Sequence, residues 1–364
     1  MRPRPHLVAT AVGLGAIALT LSACGSTSSG GSSAAASGGG SAATLLHQGI
    51  VVASASQNFA KAMSDGATAA AQNAGNIDFQ SAAPPQVDGP AEVQLFQNMV
   101  TTQKDGVIEM NLNPPLFTRP AADAISAGVP VIALDIAPTP GSNITFFVGN
   151  DNYDCGAQMA TELLKHLGSD PKGEVVIGVP NPAAPALASR AQGIKETLNK
   201  LAPGITVLGP YETYSEPTKN YDAWSAQVHA HPNALAFLGV GDADSYDLAK
   251  LKTEQNGTWQ TAGFDVDGKT LQAVKDGVNF MTMDPEHYLK GYIAEAILAD
   301  SGHSKKPLPQ GWFVTPGLVV TSANIDEVMA REKDLTATYN WYKPQIDKLL
   351  GDVQSNVKPM DQVR

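Results

Sequence analysis

From residue 49 onward, short apolar runs rich in Val and Ile alternate with Ala-rich stretches whose apolar positions recur at helical spacing. The apolar runs predict ten strands, at residues 50–53, 77–80, 107–110, 131–134, 146–148, 175–179, 206–208, 235–238, 261–264 and 279–283. The stretches between them predict helices at residues 59–74, 90–104, 120–127, 156–167, 189–201, 219–230, 245–255, 271–275 and 285–299. Continuous apolar strands separated by helices are typical of parallel sheets covered on both faces. The sequence therefore predicts an α/β fold.

Ten strands are too many for one compact open sheet, so we expect two lobes, with a break near residues 149–153. Many of the predicted strands end in a polar residue, as at Asn111, Asp135 and Asp265. Ligands of open α/β sheets bind beyond the carboxyl ends of the strands. These strand ends therefore predict the position of a binding site.

The first 24 residues have the layout of a secretory signal. Arg2 and Arg4 precede an apolar run over residues 7–21, which is too short for a membrane span of about 20 residues. The run ends in Leu-Ser-Ala-Cys at residues 21–24, which resembles a bacterial lipobox. The resemblance implies a signal peptide over residues 1–23 and lipidation of Cys24; a plain signal peptide with an incidental cysteine is the alternative.

A low-complexity segment follows the cysteine. Residues 25–43 contain only Gly, Ser, Thr and Ala, a composition that cannot bury enough apolar surface to order itself. We interpret residues 24–44 as the lipidated cysteine and a flexible tether. The protein is then expected to be extracytoplasmic and lipid-anchored to the cell membrane.

Composition and motifs exclude several function classes. With 24 Lys+Arg against 35 Asp+Glu the net charge is −11, which argues against nucleic acid as a partner. Two cysteines exclude a disulfide framework, and Cys155, the second of them, is expected to be a buried structural thiol. The chain contains neither a phosphate-binding loop nor the Gly-x-Ser-x-Gly turn of serine hydrolases. We therefore predict no cofactor, no metal and no catalytic residue.

Five polar and glycine-containing segments recur in a particular order, at residues 105–111, 127–135, 148–156, 189–193 and 263–265. In order and spacing they resemble the periplasmic sugar-binding proteins of the ribose/galactose type, the type I solute-binding fold, over residues 49 to about 325. The resemblance implies two Rossmann-like lobes with parallel sheets, joined by three crossings that we place near residues 150–153, 283–286 and 311–314. The implied lobes are residues 45–150 plus 285–312 and residues 151–284 plus 313–364, with the tail after residue 323 packed as helix on the second lobe.

The same resemblance implies which residues bind ligand, one by one. Carried over onto matching positions of this sequence, they are Asn58, Phe59, Asn111, Asp135, Arg190, Tyr214, Asp242, Asp265 and Met283. Carboxylates, amides and Arg would bind sugar hydroxyls, and aromatic faces would cover the apolar side of the ring. Other roles stay open, because Asp135 and Asp265 could cap helices, Arg190 could lie on a surface, Asn111 could belong to a turn and Phe59 to the core.

Three positions depart from the pattern of the family. Ile136 follows Asp135 where the family often has Arg, Gly241 stands where it often has Asn, and Met283 where it often has Gln. These three departures leave the pocket with fewer hydrogen-bond donors, which favours a polyol, a smaller sugar or a deoxy sugar as ligand over a standard pyranose.

The resemblance implies a binding protein and not an enzyme: a monomeric lipoprotein that captures a sugar or polyol between its lobes and delivers it to an ABC permease. A sensory sugar-binding protein for a membrane kinase has the same fold and is one alternative. A carbohydrate-active lipoprotein enzyme such as a glycosidase is another, since the spatial arrangement of carboxylates is not visible in a sequence. The related transcription repressors are disfavoured, because a signal and a tether stand where they need a DNA-reading domain.

Overall fold

The computed structural model describes residues 44–364, which contain two parallel-dominated sheets, one in each lobe. The predicted signal peptide, Cys24 and the predicted tether up to residue 43 lie outside the described residues. The strands of the first sheet are β1 Leu46–Val52, β2 Ile77–Ala82, β3 Gly106–Met110, β4 Val131–Leu134, β5 Phe146–Asn150, β11 Gly311–Thr315 and β13 Val357–Lys358. Those of the second are β6 Gly173–Val179, β7 Ile205–Glu212, β8 Ala236–Gly239, β9 Gln260–Phe264, β10 Met281–Asp284 and β12 Leu318–Val320.

The two sheets repeat one topology. The first has the order β13-β11-β5-β4-β3-β1-β2 and the second the order β12-β10-β9-β8-β6-β7. All neighbouring strands are parallel except β13 and β12, which are antiparallel to β11 and β10. In each lobe the strand order reverses next to the first strand of the sheet, which is β1 in the first lobe and β6 in the second. The carboxyl ends of the strands at this reversal border a crevice. The predicted fold of two Rossmann-like lobes is confirmed.

Helices cover both faces of each sheet. The first lobe carries α1 Asn58–Ala74, α2 Gly89–Thr102, α3 Pro114–Ser126, α9 His287–Ser304 and α11 Leu335–Gly351. The second carries α4 Asn152–Leu167, α5 Pro185–Leu201, α6 Pro217–Ala230, α7 Asp242–Glu254, α8 Gly268–Lys275 and α10 Ile325–Arg331. The helix predicted at residues 120–127 starts earlier, at Pro114, because this proline occupies the first turn, where its missing N–H costs no hydrogen bond.

Pairs of glycines bring two helices into backbone contact in each lobe. A Cβ on Gly66 of α1 would lie 2.0 Å from the carbonyl oxygen of Tyr288, and one on Gly291 of α9 would lie 1.9 Å from that of Met63. Gly156 of α4 and Gly193 of α5 make the equivalent contact in the second lobe. Since only glycine permits this approach, the start of α9 is held directly against α1. This contact places the first turns of both helices at the cleft.

The chain changes lobe four times, whereas the sequence predicted three crossings. The first lies between β5 and α4 and the second between β10 and α9, as predicted, but the third lies between Thr315 and Leu318 rather than at residues 311–314. A fourth crossing joins α10, which packs on the second lobe, to α11, whose Tyr342, Ile346 and Leu349 lie in the core of the first.

The assignment of residues 313–364 to the second lobe is therefore corrected. β11 continues to Thr315 and pairs with β5, so residues 313–315 belong to the first sheet. The tail returns to the first lobe because the apolar face of α11 packs on α9, and β13 then pairs with β11. Hydropathy indicated a helix with one apolar face, but not which lobe would cover that face.

Cys155 is buried between α4 and the second sheet, as expected of a structural thiol. Burial raises its pKa to about 12, so the nucleophilic thiolate is disfavoured. Within the described part of the chain, no helix combines the length and hydrophobicity that crossing a membrane requires.

Candidate functional site

Two aspartates occupy equivalent positions at the ends of β4 and β9. Asp135 and Asp265 both have positive φ angles, 68° and 70°, and their backbone N–H groups donate to the strand next in the sheet, at Val148 and Met283. Aspartate tolerates this left-handed conformation better than most residues. Both side chains are buried between the lobes, 8% and 9% exposed. The sharp turns therefore direct two carboxylates into the cleft.

Asp135 has a partner inside the protein. Lys290, from the first turn of α9, is fully buried and donates hydrogen bonds to Asp135 and, at 2.9 Å, to Oδ1 of Asn150. Burial by itself raises the pKa of Asp135, but the charges of Lys290 and His287 outweigh it and hold this pKa at about 2. An internal cation thus satisfies the carboxylate that the resemblance assigned to ligand.

His287 links the two lobes at the centre of the cleft. Its Nε2 lies 2.7 Å from Oδ1 of Asp265 in the second lobe, and its Nδ1 lies 4.0 Å from Oδ1 of Asp135 in the first. Burial raises the pKa of Asp265, but the hydrogen bond from His287 and that ring's charge lower it below its usual range. The imidazole is 8% exposed, and its Nδ1 has no hydrogen-bond partner among residues 44–364. This nitrogen is therefore available to a ligand hydroxyl.

A cavity of about 450 Å³ is lined by His287 but not by Lys290. Four residues carried over from the family line it: Asn58 and Phe59 at the start of α1, Asp242 at the start of α7, and Asp265. The Phe59 ring lies 5.6 Å from the imidazole of His287. Burial, together with the charges of Asp265 and Asp267, raises the pKa of Asp242 to about 8. A side-chain hydrogen bond with Asp267 contributes to this rise, and Asp242 forms no ion pair among the described residues.

Arg190 faces the cleft but is partly committed. Its Nε donates to Oδ1 of Asn152 at 2.8 Å, one terminal nitrogen donates to the carbonyl of Val240 at 3.0 Å, and the guanidinium covers the Phe264 ring at 4.2 Å. The residue is 6% exposed. Its remaining N–H groups are the part of the fork that a ligand could use.

Besides Asp135 and Arg190, three more of the nine predicted site residues do not line this cavity. Asn111 is buried and its amide is used locally, donating to Glu109 and accepting from the backbone N–H of Asn113 at 2.9 Å. Tyr214 is 42% exposed, and only its carbonyl oxygen forms a hydrogen bond, with Asn220. Met283 is fully buried in the core of the second lobe.

Sequence reasoning missed His287, Lys290 and the tail. His287 and Lys290 are spaced one turn apart in a helix that is otherwise apolar almost all round, and an isolated charge in such a helix needs a buried partner. That isolation was a usable signal. Arg331 was also missed: it lies 2.7 Å from Asp284 and donates to the Tyr342 hydroxyl, which brings the tail to the cavity.

The site offers binding groups for an uncharged polar ligand. Among residues 44–364 no three His, Cys, Asp or Glu side chains come together in a way that would hold a metal ion. Carboxylates, an amide and a free imidazole nitrogen beside an aromatic face match the donors and acceptors of a polyhydroxylated molecule and its apolar C–H face.

Comparisons with known proteins agree with this architecture. The xylose/arabinose-binding protein XylF of Sulfolobus acidocaldarius is 22% identical over 222 residues, which cover 57% of this chain and 54% of that protein, so the chain spans about half the length of this relative. The D-allose-binding periplasmic protein of Escherichia coli is 23% identical over 236 residues, 63% of this chain and 75% of that protein.

Solved structures align over both lobes. A solute-binding protein of an ABC transporter from Burkholderia graminis, solved with D-arabinose, is 25% identical with a TM-score of 0.71, covering 78% of this chain and 98% of that one. A periplasmic ribose ABC transporter protein from Conexibacter woesei has a TM-score of 0.71 at 23% identity over 80% and 97% of the two chains, which shows the fold. The family model of the periplasmic binding protein domain matches residues 48–304, more than half of the chain. The chain belongs to the periplasmic binding protein domain family, as the resemblance in its sequence predicted.

Proposed function

We propose that the protein is the sugar-binding component of an ABC transporter and that it captures a sugar or polyol in the cleft between its lobes. The observation that carries this proposal is the cavity at His287. It combines the unpartnered Nδ1 of His287 with the polar side chains of Asn58 and Asp242 and the aromatic face of Phe59, and the two lobes contribute to it jointly. Relatives whose names state a sugar ligand support the same class of solute.

Ligand capture and lobe closure are coupled in this proposal. Phe59 and Asn58 belong to the first lobe, whereas Asp242 and Asp265 belong to the second. A ligand that bonds to both sets stabilises the closed arrangement relative to the open one, which is a hinge closure. A permease can then distinguish loaded from empty protein by the relative position of the lobes.

A thermal-shift screen tests the proposal. Pentoses, hexoses, deoxy sugars, tetritols and pentitols are added to the purified chain at millimolar concentration. A ligand at 100 times its Kd is expected to add about 2.7 kcal/mol to the free energy of unfolding. Calorimetry on the best ligand should then show that Asp265→Ala weakens binding by about 2–5 kcal/mol, because a buried charged partner is lost.

Asp123→Ala provides the matched control, because this aspartate lies on the outer surface of α3 with a side chain 70% exposed. Its sugar affinity is expected to equal that of the unmodified protein. A screen in which no carbohydrate or polyol raises the melting temperature contradicts the proposed function.

The membrane arrangement completes the proposal. Lipidation of Cys24 would hold the binding domain near the permease, and the tether would allow it to reach that partner. Incorporation of labelled palmitate into the chain, and its loss in Cys24→Ser, measures the anchor. A wild-type chain that takes up no label contradicts it.

A further inference from the structure

The cavity is larger than one sugar ring requires. An engineered cavity of about 150 Å³ accommodates a benzene molecule. The space beside His287 is about 450 Å³, so it has room for more than one ring of that size. Neither Lys290 nor Asp135 lines this cavity, whereas the tail contributes Arg331, Asp334 and Leu335 to its wall.

The walls of this cavity fall into two parts. The inner part contains His287, Asp265 and Phe59, at which we place the first sugar ring. The outer part, which we define by its greater exposure, is formed by Lys61 and Asp65 of α1, which form an ion pair with each other, and by Leu335 of the tail. The outer walls thus combine charged hydrogen-bonding groups with an apolar surface, which are the two features that carbohydrate recognition uses.

The tail is held rigidly at the outer part. Arg331 is 2% exposed, lies 2.7 Å from Asp284 at the second crossing and donates to the hydroxyl of Tyr342 at 2.9 Å. Asp334 caps α11 by accepting from the backbone N–H of Ala337 at 2.8 Å. These contacts fix the first residue of α11, Leu335, at the cavity wall.

Leu335 is a large apolar side chain that the fold leaves uncovered. It is 55% exposed although it lines a cavity, and Val266 and Leu271 of the second lobe line the same cavity. A ligand ring in the outer part would bury apolar surface of Leu335, at about 25 cal/mol for each Å² removed from water. The tail, which lies beyond the part of the chain matched by the family model, therefore forms part of the cavity wall.

We infer that the ligand is a disaccharide, with one ring at Asp265 and His287 and the second ring against Leu335. This inference rests on the proposed sugar-binding function and specifies its substrate class. Leu335 acts as a specificity-determining residue, because it contacts only the second ring.

The test compares monosaccharides with disaccharides that contain them. Calorimetry on the purified full-length chain measures Kd for D-xylose and xylobiose, L-arabinose and arabinobiose, and D-galactose, D-glucose and lactose. We expect at least one disaccharide to bind about tenfold more tightly than its constituent sugars. Leu335→Ala should remove most of that advantage and leave the affinity for monosaccharides within twofold of its original value.

Leu201→Ala is the matched control, since Leu201 is 54% exposed and lies at the end of α5 in the second lobe. Leu201→Ala should change neither the affinity for monosaccharides nor the affinity for disaccharides. If monosaccharides bind at least as tightly as every disaccharide, or if Leu335→Ala weakens both classes equally, the disaccharide inference is wrong while the sugar-binding function stands. If none of these sugars binds, the proposed function itself fails together with the inference.

Discussion

The two ends of the cleft contain the same chemical group in opposite states. At one end Asp135 is paired with the buried ammonium of Lys290, and the pKa of its carboxyl is held at about 2. At the other end Asp242 lies near Asp265 and Asp267 without a cation, and its pKa is raised to about 8. The first carboxyl group is ionised and paired with a lysine, whereas the second has no cationic partner among the described residues. The residue type alone therefore does not identify a binding group; the presence of an internal partner does.

Helix packing causes this difference. The close contact at Gly66 and Gly291 holds α9 against α1, so the first turn of α9 points Lys290 at β4 and His287 at β9. Asp242 begins α7 in the second lobe, and no basic side chain of α9 forms an ion pair with it. The asymmetry between the ends of the cleft thus follows from which lobe contributes the basic helix.

The largest expected effect comes from removing the cation at the closed end. Lys290→Met leaves Asp135 buried without its main partner and should lower the free energy of unfolding by about 3–5 kcal/mol. Urea denaturation at neutral pH measures this change as a shift of the midpoint.

The double variant Asp135→Asn/Lys290→Met is the control, because it removes both charges and should recover much of the lost stability. Lys343→Met, at an exposed lysine of α11, should leave the midpoint unchanged. A Lys290→Met protein as stable as the original would show that the two ends of the cleft do not differ as described.

A smaller change in stability, opposite in sign to that of Lys290→Met, is expected when Asp242 at the other end of the cleft is replaced. The pKa of Asp242 is raised on folding, so its protonated form is favoured in the folded state, and stability is lost as the pH rises from about 4 toward 8. Asn cannot ionise, so Asp242→Asn should match the original protein near pH 4. At pH 8 the Asp242→Asn protein should be more stable than the original protein.

Urea denaturation at pH 4.5, 6 and 8 measures this difference in the free energy of unfolding between Asp242→Asn and the original protein. Asp222→Asn, at an exposed aspartate of α6, should show no such trend. Burial also raises the pKa values of Glu92 and Glu109 in the first lobe to about 8, so the stability of both proteins changes with pH for this reason as well. The measured quantity is therefore the difference in the free energy of unfolding between Asp242→Asn and the original protein at each pH. A constant difference across the pH range would contradict the unpaired state of Asp242.

The smallest effect is expected outside the cavity. Tyr214→Ala should change sugar affinity by less than about 0.5 kcal/mol, because the side chain is 42% exposed and only its carbonyl oxygen is hydrogen-bonded. Calorimetry with the ligand found in the screen measures this value. A loss above about 1 kcal/mol would restore Tyr214 as the aromatic wall that the resemblance implied.

The strand pattern could be predicted because it depends on local information. All ten predicted strands are present, with ends that differ by a few residues, since buried parallel strands form continuous apolar runs that are visible in the sequence. The glycines at 156 and 193 belonged to the motifs that indicated the family, and their close contact explains why those motifs contain glycine. Asn58, Phe59, Asp242 and Asp265 were assigned by resemblance, and the structure brings these four together around one cavity.

The rest of the site depends on contacts between distant segments. Lys290 and Asp135 are 155 residues apart, and His287 and Asp265 meet across the lobes, so neither pairing follows from local pattern. The tail was assigned to the wrong lobe for a similar reason, because an apolar helix face indicates that a partner surface exists but not which one.

The sequence by itself determined the fold class, the alternation of strands and helices, and the strand ends at which polar residues would gather, because these depend on periodicity and on conformational preferences of single residues. Tertiary structure alone decided which carboxylates are neutralised internally and which face open space, and it decided that α11 returns to the first lobe. The physical reason is that the ionisation and availability of a buried group depend on the charges within a few ångströms of it, and packing brings those charges from remote parts of the chain.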